Sequence, residues 1–330
     1  MMQLIVIKCQ GSDNDFILVD ETKNPALSET ERRAVAIIVC DRDHGIGADG
    51  VLFYQASPQA DAKMRMFNPD GSEAEMCGNG IRCLGRYAME QIGKSMARIE
   101  TMKAVLEINQ RINIYPGVYT YETTIEPVSL DPASLPLQLD GKPGGEPCVA
   151  QVLPDLSPTL TFTALSVPNP HIISFVTAID DAELAAIGQQ ANANRSLFPR
   201  GVNVSFVKIL ASQAIFVATY ERGVGLTHAC GTAMSASCFS ACWQGFTPFD
   251  TWIDVYNKGG MVRCKAHQNA SEPHLLYLAG NASFDFVATI ALDFEQATMQ
   301  SCSISSYFPM ETARYAEFKQ FCKAQWQPLA

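Results

Sequence analysis

The sequence predicts an α/β protein, with strands and helices segregated as in α+β folds, built as two pseudo-symmetric domains. Three observations carry this. Short β-branched or aromatic-rich runs recur along the chain, helical patterns are few, and three ordered motifs appear once in each half. At 330 residues the chain also exceeds what a single core usually holds.

In chain order, strand-length runs fall at 4–8, 16–20, 51–54, 64–67, 202–207, 214–220 and 274–278. A helix over 29–40 follows Ser28, with Glu31 at capping-box spacing and an apolar stripe behind it. Helices over 80–92 and 233–243 each begin just after a Cys-Gly pair. A terminal amphipathic helix over 310–326 puts Tyr315, Phe318, Phe321 and Cys322 on one side. Residues 126–147 hold five prolines (127, 132, 136, 143 and 147) without periodicity, which marks a crossing between domains. The expected domains are therefore 1–126 and 127–283, with 284–330 packing back on the first.

The repeat gives the halves their correspondence. Asn14, Asp49 and Cys77 occur in order in the first half, and Asn169, Asn203 and Cys230 in the second. Asn14 and Cys77 are 63 residues apart, Asn169 and Cys230 are 61 apart. In each half a strand precedes the Cys-Gly and a helix follows it, so each pseudo-symmetric domain offers one Cys-Gly corner.

Composition removes several classes of function. Hydrophobic residues make up 47% and charged residues 18%, an ordinary globular balance. No apolar run has membrane-spanning length, and Lys8, Asp13 and Asp15 interrupt an N-terminal stretch that lacks a signal-like start. The cytoplasm is the expected compartment. A net charge of −10 excludes nucleic acid and anionic membrane surfaces as partners, leaving a small molecule. Eleven cysteines without a CxxC pair read as thiols rather than a disulfide framework. Cys264-Lys-Ala-His267 is half a metal motif without its other half, so no metal is expected. Cys9, Cys40, Cys83, Cys148, Cys302 and Cys322 read as buried small hydrophobes.

Cys77 and Cys230 read differently because the repeat places them. A thiol just before a helix sits in the field of unpaired backbone N–H groups, which favours thiolate and is expected to lower its pKa. The same N–H groups suit a carboxylate, and the following glycine admits it to the backbone. Two facing corners of this kind suit stereo-inversion at a carbon acid. One thiolate removes the α-proton and the opposite thiol returns one to the other face, without a cofactor.

Here the residues resemble a family. Residues 66–83, from Met66-Phe67-Asn68-Pro69 to Cys77-Gly78-Asn79-Gly80-Ile81-Arg82-Cys83, are similar to the first signature of diaminopimelate epimerases. Tyr220-Glu221-Arg222-Gly223-Val224-Gly225 and Ala229-Cys230-Gly231-Thr232 resemble the second, and Asn14, Asn169 and Asn203 fall in order at the family's remaining positions. The resemblance covers residues 4–287. It implies two domains, each a curved, mostly antiparallel sheet or barrel around a central helix, and a homodimer. It implies Cys77 and Cys230 as catalytic base and acid. Asn14, Asn68, Asn169, Asn203, Glu221 and Arg222 would contact an amino-acid substrate, with the backbone at Gly78, Asn79, Gly231 and Thr232 holding its reacting carboxylate. The substrate implied is LL-diaminopimelate, converted to the meso isomer.

The chain departs from the family pattern at several positions. Leu226 stands where an acidic residue is usual, and His228 precedes Ala229-Cys230. Ala233 and Pro168 replace glycines, and Ser12-Asp13 replace Leu-Gly. These leave a racemase of another amino acid, such as histidine, as the alternative. A catalytically silent binding protein would have lost one cysteine, and a proline-racemase-like enzyme would lack the Asn68-Pro69-Asp70-Gly71-Ser72 segment.

Overall fold

A hairpin opens the chain, strands Met2–Gly11 and Asn14–Asp20 joined through Ser12 and Asp13. Both linking residues have positive φ, 57° and 68°, the backbone of a type I′ turn. Helix α1, Glu29–Cys40, then carries the chain to strand Gly50–Gln55, which lies parallel to Asn14–Asp20. The computed structural model describes every residue except 75–76, 136, 140–141, 144, 272–273 and 328–330, and the backbone alone at 139, 142 and 143.

By its contacts the chain divides into two units. The first holds 1–123 and 279–320, the second 124–278 and 321–330. The divisions at 123/124 and 278/279 stand beside those expected at 126/127 and 283/284, and the last ten residues belong with the second unit. Of the prolines of the expected crossing, Pro136 lies outside the described residues.

In the first unit the strands run in the order 298–307, 283–293, 2–11, 14–20, 50–55, 62–67, 96–100, 105–115 and 118–128. All pairs are antiparallel except the two bridged by helices, α1 and then α2, Gly78–Ile92. The sheet wraps α2, whose residues 78–89 are all buried. Phe16, Leu18 and Leu52 pack with Ile81, Leu84 and Ala88 of α2, while Ile17, Val19 and Val51 pack with Val35 and Val39 of α1. Strands covered on both faces read as continuous apolar runs, which is why 16–20 and 51–54 lack alternation.

The second unit repeats this order. Thr161–Val167 and Asn169–Phe175 form a hairpin, and α3, Asp181–Ala193, leads to the parallel strand Asn203–Ala211. Ala214–Glu221 and the short Gly225–Thr227 follow antiparallel. Helix α4, Gly231–Trp243, leads to the parallel strand Ile253–Asn257 and its partner Gly260–His267. Residues 233–242 of α4 are buried throughout, so this helix is enclosed on every side, with only small serines interrupting its apolar surface.

The ladders refine the repeat. Phe16 pairs with Gly50 and His171 with Asn203. Asn203 therefore occupies the position of Gly50, and Asp49 lies one residue before it. Helix α3 escaped the sequence reading because its apolar pattern is weak, although Asp180 caps Ala182 and Glu183 as a cap residue should. Helix α5, Pro309–Trp326, buries Tyr315, Phe318 and Cys322 but leaves Phe321 41% exposed. Residues 315, 318 and 322 share a stripe at helical spacing, and 321 lies off it. Cys302 is a second correction: it is exposed on the outer strand Thr298–Tyr307, whereas Cys9, Cys40, Cys83, Cys148 and Cys322 are buried.

Candidate active site

Each unit presents one Cys-Gly corner, and the two are built alike. Cys77 is the N-cap of α2 at φ −139°, ψ 119°, and Cys230 the N-cap of α4 at φ −129°, ψ 110°. Extended backbone at the cap turns the chain from loop into helix. Neither helix has a side-chain cap, so its leading N–H groups are left for another acceptor. Both thiols are free and partly exposed.

In the first unit Asn14 reaches the thiol. Its Oδ1 accepts from Cys77 Sγ at 3.6 Å and from Asn79 Nδ2 at 3.2 Å. Its Nδ2 donates to Asp49 Oδ2 at 2.7 Å. Beneath the corner lies Arg82, fully buried, donating to the carbonyls of Gly78 and Asn281, to Ser12 Oγ and to Asn79 Oδ1. Gly78 and Asn79 form the first turn of α2. Asn68 sits in the turn after strand Ala62–Phe67, its Nδ2 donating to Ser72 Oγ at 3.0 Å.

In the second unit Glu221 ends strand Ala214–Glu221 and lies beside Cys230, whose sulfur is 3.5 Å from Thr232 Oγ1. The N–H of Arg222 donates to Asn203 Oδ1 at 2.9 Å, and the Arg222 guanidinium donates to the Arg200 carbonyl at 2.7 Å. Asn169 opens its strand with Oδ1 2.9 Å from His171 Nε2. Gly231 and Thr232 form the first turn of α4.

The electrostatics correct one expectation. Burial pushes the Cys77 thiol above its ordinary value; the N–H groups of Gly80 and Asn79 and the Arg82 charge pull the other way and do not prevail. Burial raises Cys230 further, and the Glu221 carboxylate adds to it, against the Thr232 hydroxyl and the Ala233 N–H. Both cysteines therefore rest as thiols, because removing a small anion from water outweighs the helix-end field. Burial also raises Glu221, opposed by its bonds to Thr227 and Cys230. His171 is fully buried and held neutral, its pKa lowered to about 3 by burial and then by the Arg222 charge.

The first unit thus gathers Asn14, Asn79 and Cys77, and the second gathers Glu221, Thr232 and Cys230, with Asn203 tied to Arg222. Sequence reasoning left Arg82 and the pairing of Asp49 with Asn14 unassigned. The Asp49 position in the repeat was a signal for the latter; a buried arginine beneath a helix end leaves none. Among the described residues no cluster of three or more His, Cys, Asp or Glu side chains is arranged to hold a metal ion. No described helix is long and apolar enough to cross a membrane.

Known proteins sort with this arrangement. Solved structures of similar fold include a phenazine biosynthesis protein of the PhzF family from Bacillus anthracis. It is 18% identical, with a TM-score of 0.64 over 88% of this chain and 100% of its own. Another is a hydroxyproline epimerase from Agrobacterium vitis, 11% identical, TM-score 0.61, over 89% and 92%. In sequence, the diaminopimelate epimerase of Clostridium acetobutylicum is 44% identical over 98% of this chain and 96% of its own. That of Listeria innocua is 41% identical over 96% and 97%. The family profile described as diaminopimelate epimerase matches residues 6–122 and 163–284, passing over the proline-rich insertion and the terminal segment. With both corners inside the matched segments, the chain belongs to the diaminopimelate epimerase family.

Proposed function

We propose that the protein is an isomerase that inverts one α-carbon of LL-diaminopimelate to give the meso isomer, a step serving lysine synthesis. Relatives 41–44% identical over nearly the whole chain bear that activity in their names, and a histidine racemase is not favoured. The observation that carries the mechanism is the pair of repeat-related cysteines, each capping a helix whose leading N–H groups have no side-chain partner.

In this reading one cysteine, having given its own proton to solvent, takes the α-proton as a thiolate. The carbanion is stabilised as its carboxylate gains charge against helix N–H groups. The other cysteine, still a thiol, gives its proton to the opposite face, and the roles exchange in the reverse direction. Two groups are needed because a single base tends to return the proton where it left. Asn14, Asn68, Asn169, Asn203 and Glu221 supply donors and acceptors for the amino-acid end and the distal polar group, and Arg222 offers a fork for a distal carboxylate. Acid–base chemistry of this kind uses no cofactor, and we place the enzyme in the cytoplasm as a homodimer.

The test is α-proton exchange by NMR in deuterated buffer with reductant, offering LL-diaminopimelate and L-histidine separately. Exchange into diaminopimelate, abolished in Cys77→Ala and Cys230→Ala and by thiol alkylation, is the expected result. Exchange into histidine alone would reassign the substrate, and full activity in both alanine variants would end the two-thiol mechanism.

A further inference from the structure

Asn14 and Asn169 hold the same position in the two halves of the repeat, each opening its strand two residues before the register pair that leads into the next parallel strand. Their carboxamides are fixed by opposite ends. Asn14 is held through nitrogen, Nδ2 donating to Asp49 Oδ2 at 2.7 Å. Asn169 is held through oxygen, Oδ1 at 2.9 Å from His171 Nε2. His171 is neutral, and its Nδ1 is buried with no hydrogen-bond partner. The proton therefore belongs on Nε2, since a bare acceptor costs less than a buried unpaired donor.

Asp49 is itself held. Its Oδ2 also accepts the Asp15 N–H at 3.1 Å, and its Oδ1 accepts from Arg42 Nη2 at 2.8 Å. Arg42 and Lys8 both pair with Asp15 behind it. A carboxylate can only accept, so Asn14 cannot turn its amide over without setting oxygen against oxygen. The remaining end, Oδ1, faces Cys77 Sγ at 3.6 Å. An oxygen there accepts from S–H and repels a thiolate; a nitrogen would do the reverse.

We propose that Asp49 is a positioning residue that locks Asn14 with its carbonyl oxygen toward Cys77, and so favours the thiol of Cys77 over its thiolate in the resting enzyme. This rests on Cys77 being one of the two reacting thiols. Other groups act on that sulfur: Arg82 and Cys83 from α2 in opposite senses, and the N–H groups of Asn79 and Gly80. None of them depends on Asp49 for its position. The second half of the repeat has no counterpart to this lock, because His171 occupies the oxygen end of Asn169.

The experiment is peptide-resolved iodoacetamide labelling across pH, which reads Cys77 and Cys230 separately and needs no turnover. In Asp49→Ala the Cys77 midpoint should fall by about half to one pH unit, about three- to tenfold faster labelling below both midpoints. In an Asn14→Ala background the same substitution should add nothing, and Cys230 should be unmoved throughout. Asp49→Asn, whose Oδ1 can still accept from Asn14, should shift Cys77 less than Asp49→Ala does. Equal shifts with and without Asn14, equal shifts in the Asn and Ala variants, or no shift at Cys77, would each overturn the lock. Failure of the two-thiol reading shows separately, as α-proton exchange that survives Cys77→Ala.

Discussion

At Cys230 a carboxylate stands beside the thiol. Glu221 is the second cause, after burial, of the raised Cys230 pKa. Glu221→Gln removes that charge and should move the pH midpoint of Cys230 alkylation downward while leaving Cys77 in place. An unchanged midpoint would mean that burial alone sets the thiol. The two cysteines were legible in the sequence because a repeat singles out positions that composition does not. Their protonation state was not legible: helix-end stabilisation is local, whereas desolvation depends on the whole surroundings of the sulfur. The orientation of Asn14 was hidden for the same reason, since it is set by Asp49, 35 residues away.

At the scale of elements, a cap located a helix only where an apolar stripe followed it, as at α1 and not at α3. Helix α1 begins at Glu29 with the capping box complete: Ser28 Oγ accepts from the Glu31 N–H at 3.3 Å, and Glu31 Oε2 accepts from the Ser28 N–H at 2.7 Å. Ser28→Ala should cost about 1 kcal/mol in urea unfolding with little change in turnover. The start of α2 is tighter. A Cβ at Gly80 would lie 2.9 Å from Leu52 Cδ2, so Gly80→Ala should destabilise by about 1–3 kcal/mol through overpacking. The repeat equivalent is Ala233, fully buried, where the residue corresponding to Leu52 is Ser205. The strands at 96–100, 105–115 and 253–257 went unassigned because their runs carry charged or polar residues on the face away from the helix, which blunts the apolar signal.

At the scale of the molecule, distant segments close on α2 through buried charge. Arg86 Nη1 and Nη2 donate to the two oxygens of Glu311 at 2.6 and 2.8 Å, and Nη1 donates to the Ala282 carbonyl at 2.8 Å. The guanidinium lies 3.8 Å from the Phe284 ring centroid. Glu311→Gln removes the more buried of that cation's two counter-charges, leaving Glu90 at 2.9 Å from Nε, and should cost about 2 kcal/mol, read as a lower midpoint in denaturant. Asp15 makes folding acid-sensitive. Burial alone would raise its pKa, but Arg42 and Lys8 hold it at about 2, below the ordinary 3.8. The folded value is the lower one, so this stabilisation is complete above about pH 4 and is lost as pH falls through about 2. It amounts to about 2 kcal/mol, and Asp15→Asn should flatten that part of the stability–pH curve.

What the sequence alone determined is the repeat, the two Cys-Gly corners, the family and the capping-box helix α1, because each is written in neighbouring residues or in spacing along the chain. Tertiary structure alone decided the ladder register that sets Asn203 against Gly50 rather than Asp49, and the burial of Arg82 under α2. It also decided the raised thiols and the ends by which Asn14 and Asn169 are held. Those depend on which side chains meet across strands and on how much water is excluded around them, quantities that no local stretch of sequence encodes.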